Sequence, residues 1–202
     1  MKKGWIIAIG IIVVIIVFTI VILSVFTGKY NSFVSGEETV KSAWGEVENK
    51  YQQRFDLIPN LVETVKGYAK HEKETFVDVT EARSKISQIN MSPDMLKNAD
   101  QFSKFSEAQS GLSSALSKLM VVVEKYPELK ANQNFLGLQS QLEGSENRIA
   151  VARKRFNDAA QEYNTTIKKF PNNIIAGMFN FKEYQYFKGE EAAKKAPKVS
   201  FN

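Results

Sequence analysis

Two short sequences place acidic or imidazole side chains at spacings that metalloenzymes use. His71-Glu72 begins like the H-E-x-x-H zinc motif, but position 75 holds Thr instead of the second His. Glu143 and Glu146 have the spacing of ligands in di-iron helical bundles, but Glu146 stands where that motif needs His. The chain has one His and no Cys, which excludes thiolate zinc sites, disulfides and a Cys nucleophile. We therefore predict no catalytic residue, no metal site and no cofactor.

A second group of polar residues lies on or beside apolar helical stripes. Glu72, Ser145 and Thr166 occupy stripe positions, where a polar group needs a partner once it is buried. We predict a hydrogen-bonded network that fixes helix register, and the alternative is a small-molecule or ion pocket at the same network. The candidate cluster consists of Arg54, Asp56, Asn60, Glu72, Glu146, Asn147 and Arg148.

The elements that carry these residues have helical periodicity. Apolar residues recur at steps of three and four over four stretches, 30–54, 60–90, 101–126 and 132–170, and residues 91–100 are typical of a loop. Pro59 either opens a new helix capped by Asp56 or kinks a continuous one. The fold class is therefore predicted to be all-α, with an N-terminal transmembrane helix followed by an elongated antiparallel bundle of four-helix type.

The last stretch has the most regular pattern. Its apolar or small residues step 3-4-3-4 from Phe135 to Phe170, with Ser145 and Thr166 in the same stripe. A sustained seven-residue period is typical of a left-handed, coiled-coil-like seam.

Residues 4–28 form a run of 25 positions without a charge, rich in Ile, Val and Phe. As a helix this run is about 37 Å long, enough to cross a hydrocarbon core of about 30 Å. A secretory signal has a shorter apolar region of about 7–15 residues and a small-residue cleavage site. The sequence Ser24-Val25-Phe26-Thr27-Gly28 is a poor cleavage site, so we predict an uncleaved anchor in the lipid bilayer. Trp5 and Tyr30 are its predicted interface anchors.

The net charge of +5 comes partly from lysines that flank the anchor. Without Lys2, Lys3 and Lys29 the chain holds 24 basic and 22 acidic residues, which provides no strong field for nucleic acid. Lys2, Lys3 and the terminal amine lie on one side of the membrane, and Lys29 and Lys41 lie on the other. The positive-inside bias favours, by one charge, an extracytoplasmic bundle.

Several longer stretches carry a family resemblance. The chain resembles the LemA family of bacterial membrane proteins over residues 4–188, in order and with a matching anchor. The stretches that carry the resemblance are YNSFV at 30–34, RFDLIPNLVETVKGYA at 54–69, EAR at 81–83, YPELKAN at 126–132, ENRIAVAR at 146–153, YN at 163–164 and FP at 170–171.

The resemblance implies a single-pass protein of the bacterial cell membrane with a helical-bundle domain and no agreed catalytic residues. Relatives are often encoded near a membrane zinc metalloprotease, which implies a role in envelope maintenance or stress. We predict a basic N-terminus at 1–3, the anchor at 4–28, a LemA-like bundle at 29–188 and a flexible charged tail at 189–202.

Two functions follow from these features. The first is a non-enzymatic scaffold or adaptor, whose partner is an unknown envelope protein, such as a membrane metalloprotease, or a second copy of the chain. The second is a membrane-tethered sensor or ligand-binding module with a polar pocket between its helices.

Overall fold

A computed structural model describes residues 2–189, with side chains from residue 4. Residues 1–3 of the predicted basic N-terminus and residues 190–202 of the predicted tail lie outside the described side chains. The all-α class is confirmed, and the described residues contain no β-strand. The helices are α1 (Lys2–Tyr68), α2 (Lys73–Ser87), α3 (Ala99–Val123), α4 (Pro127–Lys130), α5 (Gln133–Lys168) and α6 (Asn172–Met178).

Helix α1 continues through Pro59, so the structure selects the continuous-helix alternative for the predicted break. Pro59 is exposed and removes one backbone donor from the helix. The apolar stripe continues on both sides of it, because Ile58, Leu61 and Val65 are almost fully buried. Their burial offsets the lost hydrogen bond, since packing of an apolar face supplies most helix stability in proteins.

The N-terminal part of α1 is the one described helix that is long and apolar enough to cross a membrane. The side chains of residues 4–25 are exposed, as expected for a surface that faces lipid. The hydroxyls of Thr19 and Thr27 donate to the carbonyls of Ile15 and Leu23, both at 2.8 Å. These bonds satisfy the polar groups within the helix, which a hydrocarbon environment requires. Among the described residues, α1 is thus the single candidate for a membrane-spanning helix.

The prediction of one continuous helix over 60–90 is wrong, because α1 ends at Tyr68 and α2 begins at Lys73. The chain turns at residues 69–72, where the Glu72 amide donates to the Ala69 carbonyl at 3.2 Å, and α2 begins at Lys73. A continuous helix would have placed the Glu72 carboxylate on the buried stripe, and an unpaired buried charge is costly. In the turn, Glu72 is half-buried and accepts a hydrogen bond from the Tyr126 hydroxyl at 3.3 Å.

The predicted loop at 91–100 also contains structure. Residues Pro93–Lys97 form a 3₁₀ helix, and its Met95 and Leu96 are completely buried. The helix α3 then begins with an Asn98 cap, whose side-chain oxygen accepts from the Gln101 amide at 3.1 Å.

The described residues divide into two compact units, and α1 and α5 contribute to both. The bundle unit comprises residues 43–158 and 184–189, and the anchor unit comprises residues 2–42 and 159–183.

Within the bundle unit the helices alternate in direction. Glu46 of α1 pairs with Arg155 of α5, and Tyr68 at the end of α1 accepts from Asn132 just before α5, so these helices are antiparallel. Glu72, just before α2, accepts from Tyr126, just after α3, and Asp78 of α2 pairs with Lys118 of α3 at 2.9 Å, so these helices are antiparallel as well. This arrangement matches the predicted antiparallel bundle.

An aromatic cluster fills one part of the bundle core. The Trp44 ring lies 5.5 Å from Phe105 and 5.7 Å from Phe156, both edge-to-face. The segment after residue 183 contributes Phe187, whose ring centroid is 4.8 Å from that of Phe102. The Phe187 amide also donates to the Asn157 side chain at 2.9 Å. Phe187 is thus a core residue of the bundle unit although it lies outside any helix.

The heptad pattern of α5 holds only for its first part. Phe135, Leu142, Ser145, Ile149, Ala152 and Phe156 are buried as predicted. Tyr163 is also buried as predicted, but the other buried positions then move to Ala160, Asn164 and Ile167. Phe170 is 81% exposed, and Thr166 is only half-buried, so their predicted places on the stripe are wrong. An α-helix drifts by about 20° per heptad from a strict seven-residue repeat, so three heptads turn the buried face by about 60°, more than half of the roughly 100° step between neighbouring residues.

In the anchor unit, α5 packs on α1 where a glycine allows close approach. A side chain at Gly36 would place its Cβ 3.0 Å from the Tyr163 ring, and the Tyr163 hydroxyl donates to Glu37 at 3.3 Å. The chain then returns through α6, and Phe181 packs edge-to-face on the buried Phe33 with ring centroids 5.3 Å apart.

Replacing Phe187 by Ala tests whether the segment after residue 183 completes the bundle core. We expect Phe187→Ala to lower the free energy of unfolding by about 3 kcal/mol, because it leaves a cavity among four aromatic rings. Urea unfolding of the full chain in detergent, followed by Trp44 fluorescence in a Trp5→Phe background, measures this loss. The exposed Val121→Ala change should stay within about 0.5 kcal/mol, and equal losses in both variants would contradict the assignment.

Candidate functional site around Arg54

Arg54 lies on the buried face of α1, in the same stripe as Trp44, Tyr51 and Ile58. Only 2% of this side chain is exposed, so it is among the most buried large side chains of the described chain. The next residue, Phe55, is half-buried and is covered by the Arg83 guanidinium, 4.1 Å from its ring centroid. The apolar stripe of α1 therefore carries a cation at its centre, and that cation needs acceptors from neighbouring helices.

Helices α3 and α5 supply these acceptors. The Arg54 Nη1 donates to Glu146 Oε1 at 2.7 Å and to Ser113 Oγ at 3.0 Å, and its Nη2 donates to Gln109 Oε1. The guanidinium carbon also lies 5.2 Å from the Tyr51 ring centroid. The Nε atom is buried and has no hydrogen-bond partner among the described residues. Arg54 thus connects three helices through charge-assisted hydrogen bonds.

A cleft of about 240 Å³ opens beside this cluster within the bundle unit. Four serines line it from one face of α3, at steps of three and four: Ser103, Ser106, Ser110 and Ser113. Arg153 and Lys188 line it as well. The Arg153 guanidinium carbon lies 4.6 Å from the Phe187 ring centroid, and the Arg153 Nη2 donates to the Lys188 carbonyl at 3.1 Å. With Arg54, the lining has three cations against the carboxylates of Glu107 and Glu146, so the cleft suits polar or anionic molecules.

The Tyr51 phenol is part of the same cleft. Burial raises the pKa of this phenol above its usual value near 10, and the nearby charges of Arg153 and Arg54 oppose that rise. The phenol is therefore neutral at physiological pH. The described lining of the cleft contains no His, so the arrangement provides binding groups rather than an imidazole base.

The structure brings together only two members of the predicted cluster, Arg54 and Glu146. Asp56 is exposed and accepts from the Gln52 side chain at 2.7 Å, and Asn60 is exposed as well. Asn147 and Arg148 are exposed and line a separate shallow depression with Glu46, Lys50, Val151, Ala152 and Arg155. Glu72 lies in the turn before α2. Of the predicted interface anchors, Trp5 is 75% exposed, and Tyr30 packs against Phe179 with ring centroids 5.0 Å apart.

Sequence reasoning missed Gln109, Ser113 and Arg153. Gln109 could have been found, because it interrupts the α3 stripe formed by Phe102, Phe105 and Leu112 at the correct spacing. Ser113 and Arg153 carry no such signal, since serine and arginine are ordinary residues on the outer faces of helices. No group of three His, Asp or Glu residues that would hold a metal ion occurs among residues 2–189.

The profile of the LemA family matches residues 43–201. The chain belongs to the LemA family. Magnetosome protein MamQ 2 of Paramagnetospirillum magneticum is 28% identical over 180 residues, which cover 81% of this chain and 66% of the relative. MamQ of Magnetospirillum gryphiswaldense is 27% identical, with 79% and 64% covered. Protein LemA of Metamycoplasma hominis is 24% identical, with 83% and 72% covered. The chain thus spans just under two thirds of the length of its magnetosome relatives.

Replacing Arg54 tests the importance of the cluster for stability. We expect Arg54→Met to lower the free energy of unfolding by about 2–4 kcal/mol, because it leaves Gln109 and Ser113 without a donor. The loss should lie near the lower end of this range, because Glu146 is half-exposed and solvent screens its charge. The matched control Arg148→Met removes an exposed arginine and should change it by no more than about 0.5 kcal/mol. Urea unfolding in detergent measures both, and a neutral Arg54→Met would refute a structural role.

The raised pKa of Tyr51 predicts a pH dependence of stability. A raised phenol pKa favours the neutral form in the folded state, so its contribution is present below about pH 10 and is lost as the pH rises further. We expect Tyr51→Phe to lose less stability than the wild type between about pH 9 and pH 11. A wild-type slope in Tyr51→Phe would contradict the assignment.

Proposed function

We propose that this protein is a non-enzymatic scaffold or adaptor of the bacterial cell envelope, anchored in the membrane by α1. The single observation that supports this function best is a groove of about 560 Å³ between α2 and α3 of the bundle unit. We assign this groove to an amphipathic helix of a partner protein in the same envelope.

Small residues, which we call the floor, line part of the groove together with Ile89 and Ser114. Ala82 of α2 and Ala108, Gly111 and Ala115 of α3 line it, and a side chain at Gly111 would meet no atom within 4 Å of its Cβ. Small residues at a helix surface leave room for the larger side chains of a docked helix. A partner helix with apolar residues at steps of three and four would fill this floor.

The edges of the groove carry both signs of charge. Glu81 and Lys85 line it from α2, and Lys104 and Glu107 line it from α3, while Asp78 and Lys118 pair with each other at 2.9 Å. Mixed charges beside an apolar strip resemble the flanking positions of a coiled coil, which select partner and direction. Such edges favour a helix with charges of both signs on its flanks over nucleic acid or an anionic polymer.

Crosslinking at Gly111 in living cells tests the groove. A photoreactive residue at position 111 is expected to give a discrete adduct whose crosslinked peptide is an amphipathic helical segment. Position 137 is the matched control, because Gly137 is an exposed helical glycine of α5 that also has no atom within 4 Å of an added Cβ. Gly111→Leu in the full chain should fold, fill the groove and abolish copurification of that partner, whereas Gly137→Leu should not. The same adducts at both positions would refute the proposal.

Candidate partners for the groove are an envelope protein such as a membrane metalloprotease and a second copy of this chain. Position 111 distinguishes them, because self-association gives an adduct between two copies of the chain.

A second candidate function is a sensor or ligand-binding module at the Arg54 cleft. The buried Arg54 Nε without a described partner favours it, since such a donor is normally satisfied by an acceptor or by water. Arg153 and Lys188 make the adjacent lining attractive to an anionic molecule.

A thermal-shift screen with metals, nucleotides, lipids and peptides tests this second function. An anionic ligand of the cleft should raise the Tm of the wild type in detergent and have a smaller effect on Arg153→Met. The exposed Arg148→Met variant is the control. A flat response to every compound, or equal shifts in all three proteins, would refute it.

A further inference from the structure

The anchor unit exposes large apolar side chains outside the transmembrane run. Phe170 is 81% exposed, Ile174 53%, Met178 65% and Phe179 51%. We call these four residues the α6 patch. On α6 the inner face buries Ile175 and Ala176, so the face that carries Ile174 and Met178 is apolar where a surface helix normally carries polar residues.

The α6 patch is held at the end of the transmembrane run. The Tyr30 ring, two residues after the uncharged run ends, lies 5.0 Å from Phe179 and 5.6 Å from Phe181. Tyr163 of α5 contacts Gly36, and α5 ends five residues later, about 7 Å further along the helix, at the level of residue 31 of α1. Residues 170–179 follow directly and therefore lie beside the point where α1 leaves the hydrocarbon.

The burial pattern along α1 supports the same position of the α6 patch at the membrane interface. The side chains of residues 4–25 are exposed, and partial burial begins at Phe26, two residues before the uncharged run ends. A run of about 37 Å exceeds the hydrocarbon core, so its last residues and Tyr30 lie within the headgroup region. The packed part of the anchor unit thus begins inside the interface itself.

A rigid turn fixes the orientation of the α6 patch. Asn180 has a left-handed φ of 58°, the Phe181 amide donates to the Ala176 carbonyl at 2.9 Å, and the Asn180 amide donates to the Gly177 carbonyl at 3.3 Å. This pattern is a Schellman motif with Asn at the left-handed position. Lys168 also pairs with Glu183 at 2.6 Å, which ties the end of α5 to the segment after α6.

We propose that the α6 patch inserts into the membrane leaflet from which α1 emerges and forms a second attachment to the lipid. An interfacial helix buries its apolar face about 5–10 Å into the boundary between headgroups and acyl chains. Lys29, Lys169 and Lys182 belong to the same segments and favour anionic headgroups. Two attachments restrict rotation and tilt of the anchor unit against the membrane, which a single helix does not.

Fluorescent labels at single cysteines test the insertion, because the chain has no native cysteine. The full chain carrying Met178→Cys is labelled with an environment-sensitive dye and reconstituted in vesicles of phosphatidylcholine and phosphatidylglycerol. We expect a doxyl-labelled lipid to quench this dye and iodide, present on both sides of the membrane, to leave it bright. Val121→Cys is the matched control, because Val121 is 66% exposed on α3 of the bundle unit, and its dye should respond to iodide only.

Two results would overturn the proposal. If iodide quenches the Met178→Cys dye as strongly as it quenches the Val121→Cys dye, then water covers the patch. Protection from both quenchers would show that protein covers it, and in purified vesicles that protein is a second copy of the chain.

A charge substitution provides a second test. Both charge variants carry the same dye at position 178, so the dye itself cannot cause a difference between them. In the Met178→Cys chain, Ile174→Asp should abolish lipid quenching, because it removes an apolar contact and brings a carboxylate into the interface. Asn173→Asp adds the same charge at an exposed polar position of α6 and should preserve lipid quenching. Retained lipid quenching in Ile174→Asp, or equal loss in both variants, would refute insertion of the apolar face.

Discussion

The buried guanidinium of Arg54 is the constraint on which the bundle unit depends. A cation with 2% of its side chain exposed has to be surrounded by acceptors, and they come from Gln109 and Ser113 on α3 and from Glu146 on α5. A shift of α3 or α5 by one residue along its axis would separate these pairs while leaving much apolar contact intact. One residue of α1 therefore selects a single register for three helices, which hydrophobic contact alone does not specify.

This constraint also relates the two surfaces to which functions are assigned. Helix α3 presents Gln109 and Ser113 to the Arg54 cluster, and it presents Ala108, Gly111 and Ala115 to the groove beside α2. Glu107 lines both the cleft and the groove. Because the Arg54 cluster fixes α3, the groove is preorganised. The bundle therefore loses little conformational entropy when a partner binds. A scaffold benefits from such stiffness.

The sequence predicts the fold further than it predicts the site. Periodicity is a local property, so the helical class, the anchor and most buried positions of α3 and α5 follow from it. The continuity through Pro59 depends on tertiary burial of Ile58 and Leu61, and the change of buried face after Phe156 depends on accumulated helical drift. The site is harder, because which acceptor reaches Arg54 is decided by the register of distant helices. Glu146 was within the predicted set, but Ser113 resembles any serine of a solvated helix face.

The position of Phe187 has a consequence for how this protein is made. Its ring lies among Trp44, Phe102, Phe105 and Phe156, all of which are synthesised before it. Until residue 187 has left the ribosome, and crossed the membrane if the bundle is exported, these aromatic rings lack their last neighbour and stay partly open to solvent. The core of the bundle unit can close only late in biogenesis, after α1 has already been inserted into the membrane. During that interval the nascent bundle exposes aromatic surface, which is the kind of surface that makes incompletely folded chains prone to aggregation.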